Sequence, residues 1–532
     1  MNNGASSDDP QKAMLLLELV LLLLLCAVAL GWIARHFKFP YPIALVVGGA
    51  LLGLVPKLPQ FPFDPQLILI LVLPPILYQA ALLTSWSDFK ANIRPIGLLA
   101  IGLVIVTTLA VGAALKWLVP GMPWAAAFAF GAIVSPPDAV AATAILSRLN
   151  IPRRIVTILE GESLVNDASG LVLYKFAVAA ALTGAFSLAE ASLQFVGVSL
   201  GGIALGVGIA FVFIAIHRHL GDPFIEVLTA LVVPYVAYIV AESLHVSGVL
   251  AVVAAGLLRG RHAPEIVSAE MRIMARSVWN ILVFMLNSLV FMLIGLQLSD
   301  MPDRLARYST AQLLGWGLAV SAVAILVRFA WVYFAAYLPR ALSGSLREAE
   351  PRLRKREMGI ISWCGMRGIV SLAAALALPA ALPGGGAFPH RDLIVFLTFF
   401  VIAVTLVGQG LTLPALIRRL RVGSDWSIEA ESQRVRAAMS AAAVAAIDEI
   451  VAREGAPGEW ADPLRVEIRD RIALAAPVGL APNPQAELLK RLRHAAIRAE
   501  RTELIRLWRD NEISDEVLHH LEEILDYQEA HI

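Results

Sequence analysis

Long apolar runs recur along the chain from Met14 to Leu416 and constrain the fold more than any other feature. Runs of about 20 residues suffice for a helix to cross a hydrocarbon core about 30 Å thick. Of the 532 residues, 58% are hydrophobic and only 16% are charged, whereas soluble domains are about half apolar and a quarter charged. Because backbone polar groups in lipid must bond within their own segment, the chain is predicted to be an all-α polytopic membrane protein.

The apolar pattern predicts about thirteen transmembrane spans. The ninth is short enough to merge with the eighth. Their approximate bounds are 13–34, 41–56, 66–83, 95–118, 123–147, 155–183, 194–217, 223–243, 246–260, 277–299, 311–339, 357–381 and 392–417.

The basic residues of the loops predict how the spans are oriented. One set of alternate loops holds 21 Lys and Arg residues, and the other set holds six. The positive-inside rule assigns the richer set to the cytoplasm. The N-terminus is therefore expected outside and the C-terminal tail inside, in a protein of the cell (inner) membrane.

The charge balance changes near residue 421. Residues 422–532 hold 13 basic against 21 acidic residues, while residues 1–421 hold 30 against 21. We expect a transmembrane domain over 1–421 and a helical cytoplasmic tail over 422–532, with helices at about 428–453 and 484–509 and a third that follows Ser514 as its N-cap. The tail could be a small bundle that aids assembly or a regulatory domain with an unknown partner. Basic residues are confined to short loops, so nucleic-acid binding is not expected.

Thirteen spans divide into six, a linker span and six, which is the parity that inverted repeats require. The fifth span of each half is interrupted. Span five carries Pro136, Pro137 and Asp138 at its middle, and span twelve carries Gly365 and Gly368 around an arginine. Such paired interruptions indicate two broken helices that cross at a midplane binding site. Prolines that only kink their helices are the simpler alternative.

The stretch ILEGESLVNDASGLVLYKF, residues 158–176, places acids inside an otherwise apolar span. Glu160, Ser163 and Asp167 share one helical face, and Glu162 and Asn166 form a neighbouring stripe. A charged side chain inside a membrane is costly and usually functional. Glu160, near the cytoplasmic end, could be simply solvated or could line a funnel to the site.

Three basic residues lie within spans and could partner these acids: Lys175, Arg328 and Arg367. A buried charge is tolerated when it is permanently paired. We expect Glu162 and Arg367 to form a structural ion pair, and Arg328 to have a structural partner rather than a gating role. Asp167 is then the carboxylate left to function.

Asp167 is predicted to hold either a proton or a monovalent metal cation, but not both. Carboxylate, hydroxyl and carbonyl oxygens suit hard cations such as Na⁺ and Li⁺. The Ser163 hydroxyl and backbone carbonyls freed at Pro136 and Pro137 could supply the other ligands. Competition between the two ions, combined with alternating access, is sufficient for exchange.

Six motifs occur in an order that resembles the NhaP/NHE-type cation/proton antiporters over residues 14–420. The acidic stretch GESLVNDASGLVLY resembles that family's Asn-Asp signature, and SPPDAVAA resembles its bacterial Na⁺/H⁺ antiporter branch. The other four motifs are LPPIL, SGVLAVVAAG, NSLVFMLIGLQL and WCGMRGIVSLA.

The resemblance implies a homodimer of thirteen-span protomers in membrane lipid. It implies that Asp167 carries the ion and the proton and that Asn166 organises the site, with oxygens from Ser163, Pro136 and Pro137. It also implies Asp138 at the helix crossing and agrees with the Glu162–Arg367 pair. The Asn-Asp pair is associated with electroneutral one-for-one exchange.

The sequence departs from the family at two positions. Gln79 follows LPPIL where animal exchangers carry an acid, and Pro137 stands where prokaryotic members have threonine. Selectivity among Na⁺, Li⁺ and K⁺ is therefore left open, and a K⁺-selective antiporter is the main alternative.

Two other function classes remain at this stage. Asp138 and Asp167 could be the paired acids of an intramembrane hydrolase, or the chain could be a cation channel. No nucleotide-binding loop appears, so an ion gradient is the expected driving force, and no cofactor is expected beyond the transported ions. We predict a transporter rather than an enzyme.

Overall fold

The structure is a computed structural model of the chain. It divides into two compact units, Met1–Ser424 and Asp425–Ile532. The residues it describes are 9–37, 41–55, 65–146, 149, 151–184, 187–296, 305–342, 353–382, 386–422, 427–454, 457–473, 484–510, 512 and 515–530.

The described residues of the first unit form helices, and the described part of the chain contains no β-sheet. The helices are α1 (Asp9–His36), α2 (Tyr41–Gly53), α3 (Pro65–Leu83), α4 (Trp86–Ala91), α5 (Ile93–Leu118), α6 (Trp124–Val134), α7 (Ala139–Leu146), α8 (Arg153–Thr183), α9 (Leu188–His217), α10 (Pro223–Ser243), α11 (Gly248–Ile266), α12 (Ala269–Leu296), α13 (Thr310–Leu342), α14 (Lys355–Trp363), α15 (Ile369–Leu376) and α16 (Arg391–Leu420).

Eight of the described helices are long and apolar enough to cross a membrane. Their outward surfaces are apolar too: Leu193 and Phe211 of α9 and Trp117 of α5 are exposed, as lipid contact requires. The all-α membrane fold is therefore confirmed, whereas the count of thirteen spans and the inverted repeat stay predictions.

The membrane helices pack mainly in two groups. The first group contains α1 to α3 and α9 to α12, and the second contains α5 to α8 and α13 to α16. Small residues bring backbones close within each group. An added Cβ at Gly206 of α9 would lie 2.2 Å from the Ala251 carbonyl oxygen of α11, and one at Gly131 of α6 would lie 2.2 Å from that of Thr108 in α5.

The two predicted helix interruptions are confirmed. Residues 135–138 separate α6 from α7, where consecutive prolines remove two backbone donors. Residues 364–368 separate α14 from α15. The backbone N–H of Asp138 donates to the Met366 carbonyl oxygen at 2.7 Å, so the two breaks cross in direct contact.

The second unit is also helical, with α17 (Ser427–Glu454), α18 (Asp462–Ala473), α19 (Pro484–Arg509) and α20 (Asp515–Ala530). Leu504 of α19 and Leu518 of α20 belong to one apolar cluster. Arg501 of α19 forms an ion pair with Asp526 of α20 at 2.7 Å. Helix α18 was missed by the sequence prediction.

Candidate ion-binding site

A cavity of about 640 Å³ lies between the two groups of helices. Its wall comes from α3 and α12 of the first group, and from α7, α8 and α15 of the second. Three carboxylates line it: Asp138, Glu160 and Asp167. No lysine or arginine belongs to the described lining, so the cavity favours cations over anions.

Asp138 lies where the N-termini of two half-helices meet. Its Oδ1 accepts the backbone N–H of Val140 in α7 at 2.8 Å, and it also accepts the N–H of Ile369 at the start of α15. The positive ends of two helix dipoles therefore face one carboxylate. Gly368 permits this approach, because a Cβ there would fall 1.8 Å from Asp138 Oδ2.

Arg367 lies at the opposite, negative ends of the broken helices. Its Nε donates to the carbonyl oxygen of Val134, the last residue of α6, at 2.7 Å. Its Nη1 donates to the Gly365 carbonyl oxygen, just after α14. The hydroxyl of Thr405, in a π-helical turn of α16, accepts the Arg367 backbone N–H at 3.1 Å. The crossing is thus neutralised by an acid at the N-termini and a base at the C-termini.

The predicted Glu162–Arg367 pair was wrong in its basic partner. Both carboxylate oxygens of Glu162 bind Arg328 of α13, at 2.5 and 2.9 Å. Arg328 also donates to the Ile361 carbonyl oxygen of α14 at 3.1 and 3.0 Å. Glu162 and Arg328 are both buried. Arg367 is occupied by helix-end carbonyls, so the bidentate acceptor goes to the other arginine.

Asp167 differs from Glu162 in having no basic partner. Among the residues that the structure describes, it has no hydrogen bond or ion pair, and its charged neighbour is Asp138. It is 7% exposed and lines the cavity. This carboxylate can therefore exchange a proton for a cation without first breaking a protein contact.

Ser163 and Asn166 connect α8 to the broken helix. The Ser163 hydroxyl lines the cavity and accepts the Ala139 backbone N–H at 3.3 Å. Asn166 Nδ2 donates to the Pro137 carbonyl oxygen at 2.8 Å. Asn166 is fully buried, and neither it nor Pro137 belongs to the described lining, whereas Pro136 does.

The structure thus brings Asp138, Ser163 and Asp167 to one cavity, with Asn166 behind it. Sequence reasoning named Gly368 only as part of the interruption of span twelve and did not predict its close approach to Asp138. Sequence reasoning also assigned no role to Asn287 of α12, although a lone polar side chain in an apolar span often marks a functional site.

Comparison with known proteins identifies the family. A family described as sodium/hydrogen exchanger, transmembrane, matches residues 20–419. The chain belongs to this family. It is therefore a sodium/hydrogen exchanger, a secondary transporter and not an enzyme, which sets the hydrolase and channel hypotheses aside.

Two relatives and one solved structure illustrate the match. A protein of Mycobacterium tuberculosis named an uncharacterized Na⁺/H⁺ exchanger is 34% identical over 526 residues, covering 97% of this chain and 96% of its own. A sodium, potassium, lithium and rubidium/H⁺ antiporter of Bacillus subtilis is 38% identical over 410 residues, covering 75% and 61%.

The solved structure is the sodium proton antiporter MjNhaP1 of Methanocaldococcus jannaschii. It superposes with a TM-score of 0.61 at 20% identity, covering 77% of this chain and 99% of its own. At that identity the match concerns the fold alone. It agrees with the all-helical membrane architecture described above.

Proposed function

We propose that this exchanger moves Na⁺ (or Li⁺ or K⁺) against H⁺ in a one-for-one, electroneutral cycle of alternating access. The proton and the cation compete for Asp167. The observation that carries this proposal is the contrast within α8: Glu162 is charge-compensated by Arg328, whereas Asp167 faces an acidic cavity and has no basic partner in the part of the chain that the structure describes.

Each neighbour has a defined role in the proposal. Ser163 supplies a cation ligand from the face of α8 that carries Asp167. Pro136 places the break between α6 and α7 on the cavity wall. Asn166 holds the Pro137 carbonyl and so keeps α8 in register with the break. Asp138 accepts backbone N–H groups at two helix N-termini, whereas Asp167 accepts none among the described residues, so Asp167 is the group proposed to exchange its proton.

The cavity is proposed to open to the cytoplasm. Its residues lie on the N-terminal half of α8 and the C-terminal half of α3. Those two ends adjoin the basic loops at 148–154 and 84–94, which the positive-inside rule assigns to the cytoplasm. Movement of one helix group against the other would then present Asp167 to the outside.

Broad selectivity among monovalent cations is favoured by one comparison. The Bacillus subtilis relative is named for sodium, potassium, lithium and rubidium. A neutral Gln79 on the cavity wall is compatible with larger, weakly hydrated cations. K⁺ exchange is accordingly the second candidate, and a homodimer is proposed as the assembled form.

The test uses everted membrane vesicles with a pH-sensitive dye. Addition of Na⁺, Li⁺ or K⁺ to wild type should dequench the dye, and Asp167→Asn should abolish the response. Glu190→Gln, an exposed acid at the start of α9, is the control and should behave as wild type. Exchange by Asp167→Asn at the wild-type rate would refute the mechanism. In proteoliposomes, a rate that changes with imposed membrane potential would refute electroneutrality.

A further inference from the structure

Two buried oxygens, each on a residue that lines the cavity, have no hydrogen-bond partner among the residues that the structure describes. They are Asn287 Oδ1 of α12 and Ser371 Oγ of α15. Each residue is 1% exposed. Buried polar atoms are nearly always bonded, and an unsatisfied one costs about 1–3 kcal/mol. A cation that is bound in the cavity and coordinated by both oxygens would remove both costs.

Both residues line the same cavity as Asp138. The backbone N–H of Ile369 donates to the Asp138 carboxylate, and Ser371 lies two residues after Ile369. The Asn287 side chain is hydrogen-bonded to the Tyr41 hydroxyl. That hydroxyl in turn interacts electrostatically with Asp138. Helices α12 and α15 are also in contact.

The two oxygens belong to different helix groups. Ser371 belongs to the second group, as Asp138 and Asp167 do, whereas α12 packs against α1 and α2 in the first. A cation bound by both would be coordinated across the cavity. Movement of one group against the other would then change the number of its ligands.

The chemistry of these oxygens fits a monovalent cation. An amide carbonyl and a hydroxyl are hard, neutral ligands, which replace hydration water without adding charge. They would raise the coordination number and leave one-for-one stoichiometry unchanged. The rest of the shell is then the carboxylate of Asp167, the hydroxyl of Ser163 and water.

We propose that Asn287 Oδ1 and Ser371 Oγ are direct ligands of the transported cation and set its selectivity. This inference rests on the function proposed above. It assigns the first helix group a ligand of its own, Asn287, so that the cation is shared between the two groups.

The experiment compares Asn287→Ala and Ser371→Ala with Ser288→Ala in proteoliposomes. Ser288 is the matched control: it is fully buried and its hydroxyl is also unpartnered, but it lies outside the described lining of the cavity. The readouts are the apparent KM for Na⁺ and K⁺, the maximal rate, and stabilisation of the purified protein by Na⁺ during heating.

Loss of one ligand to a charged ion should raise the apparent KM for Na⁺ about tenfold in Asn287→Ala, and about threefold in Ser371→Ala. The ratio of the Na⁺ and K⁺ constants should change, and Na⁺ should stabilise both variants less. Ser288→Ala should match wild type. If all three variants share wild-type constants, Asn287 and Ser371 are not ligands.

Two further variants keep the test decisive. If Asn287→Ala does not fold, Asn287→Asp retains an oxygen and adds charge, so it should lower the KM for Na⁺; an unchanged constant would contradict the proposal. Asp167→Asn is measured in parallel. Exchange that persists in Asp167→Asn overturns the proposed function, whereas Asp167-dependent exchange with unchanged constants in Asn287→Ala overturns only this inference.

Discussion

Glu162 and Asp167 lie five residues apart on α8, yet their surroundings are opposite. Glu162 faces α13, where Arg328 binds both of its oxygens in a site without water access. Asp167 faces the cavity, where the neighbouring charge is another acid. One side of the helix therefore carries a paired charge, and the other side carries a carboxylate without a basic partner among the described residues.

The comparison shows how an apolar helix can contain several acids. A carboxylate that is buried away from water needs a fixed counter-charge, because an unpaired buried ion is strongly unfavourable. A carboxylate on a cavity wall can instead take its counter-charge from a transported ion. Substitutions on the two sides should therefore fail in different ways, the first in stability and the second in exchange.

The largest expected effect is on the paired side. Arg328→Met leaves Glu162 buried and unpaired, so we expect the protein to lose about 3–5 kcal/mol of stability. Thermal unfolding of the purified protein measures this loss.

The double variant Glu162→Gln/Arg328→Met removes both charges and should recover much of that stability. Asp167→Asn, on the cavity side, should unfold close to wild type. If Arg328→Met unfolds like wild type, or if Asp167→Asn is equally destabilised, the distinction between the two sides fails.

The second prediction concerns the helix crossing on the cavity side. Gly368→Ala places a methyl group 1.8 Å from Asp138 Oδ2, so the carboxylate must move away from both helix N-termini. We expect the exchange rate to fall about fivefold to a hundredfold, because overpacking of this kind costs about 1–3 kcal/mol.

Gly359→Ala is the matched control for the crossing. It lies in α14, where an added Cβ would meet only Leu420 Cδ1 at 3.7 Å. Its exchange rate should stay near that of wild type. Equal rates in Gly368→Ala and Gly359→Ala would contradict the role assigned to the Asp138 contact.

The smallest effect is expected at Glu160, the third acid of the cavity. Glu160 lies two helical turns, about 10 Å, before Asp167. The cation that faces it, Arg153, is already paired with Asp88 at 2.7 Å. Glu160→Gln should raise the apparent KM for Na⁺ about two- to fivefold at unchanged maximal rate, because the cavity attracts cations less.

The charge can be relocated to separate electrostatics from structure. Gln79 lines the same cavity, so the double variant Glu160→Gln/Gln79→Glu should return the apparent KM for Na⁺ towards the wild-type value. Added salt of a non-transported cation should reduce the difference between wild type and Glu160→Gln. A changed maximal rate with an unchanged constant would rule out this electrostatic role.

Much of the architecture was predictable because it depends on local composition. Span-length apolar runs require membrane helices, and the double proline before Asp138 and the glycines around Arg367 require interrupted ones. Helical spacing alone placed Ser163 and Asp167 on one face. These features follow from residues near one another in the sequence.

The partners of the charged groups were not predictable in the same way. Arg328 and Arg367 are both intramembrane arginines, and nothing local distinguishes them as partners for Glu162. The choice arises because Arg367 is taken by the carbonyl ends of α6 and α14. Only the packing of distant helices decides which basic group is left.

Local sequence features predict the class of the protein, a helical membrane antiporter with two broken spans, and they single out Asp167 as the acid proposed to exchange its proton. Only the packed helices show that Glu162 pairs with Arg328, that Gly368 approaches Asp138, and that Asn287 and Ser371 line the cavity. The difference lies in how far apart along the chain the interacting residues are. Helix formation and insertion depend on neighbouring residues, whereas a counter-charge or a ligand comes from whichever helix folds against the site.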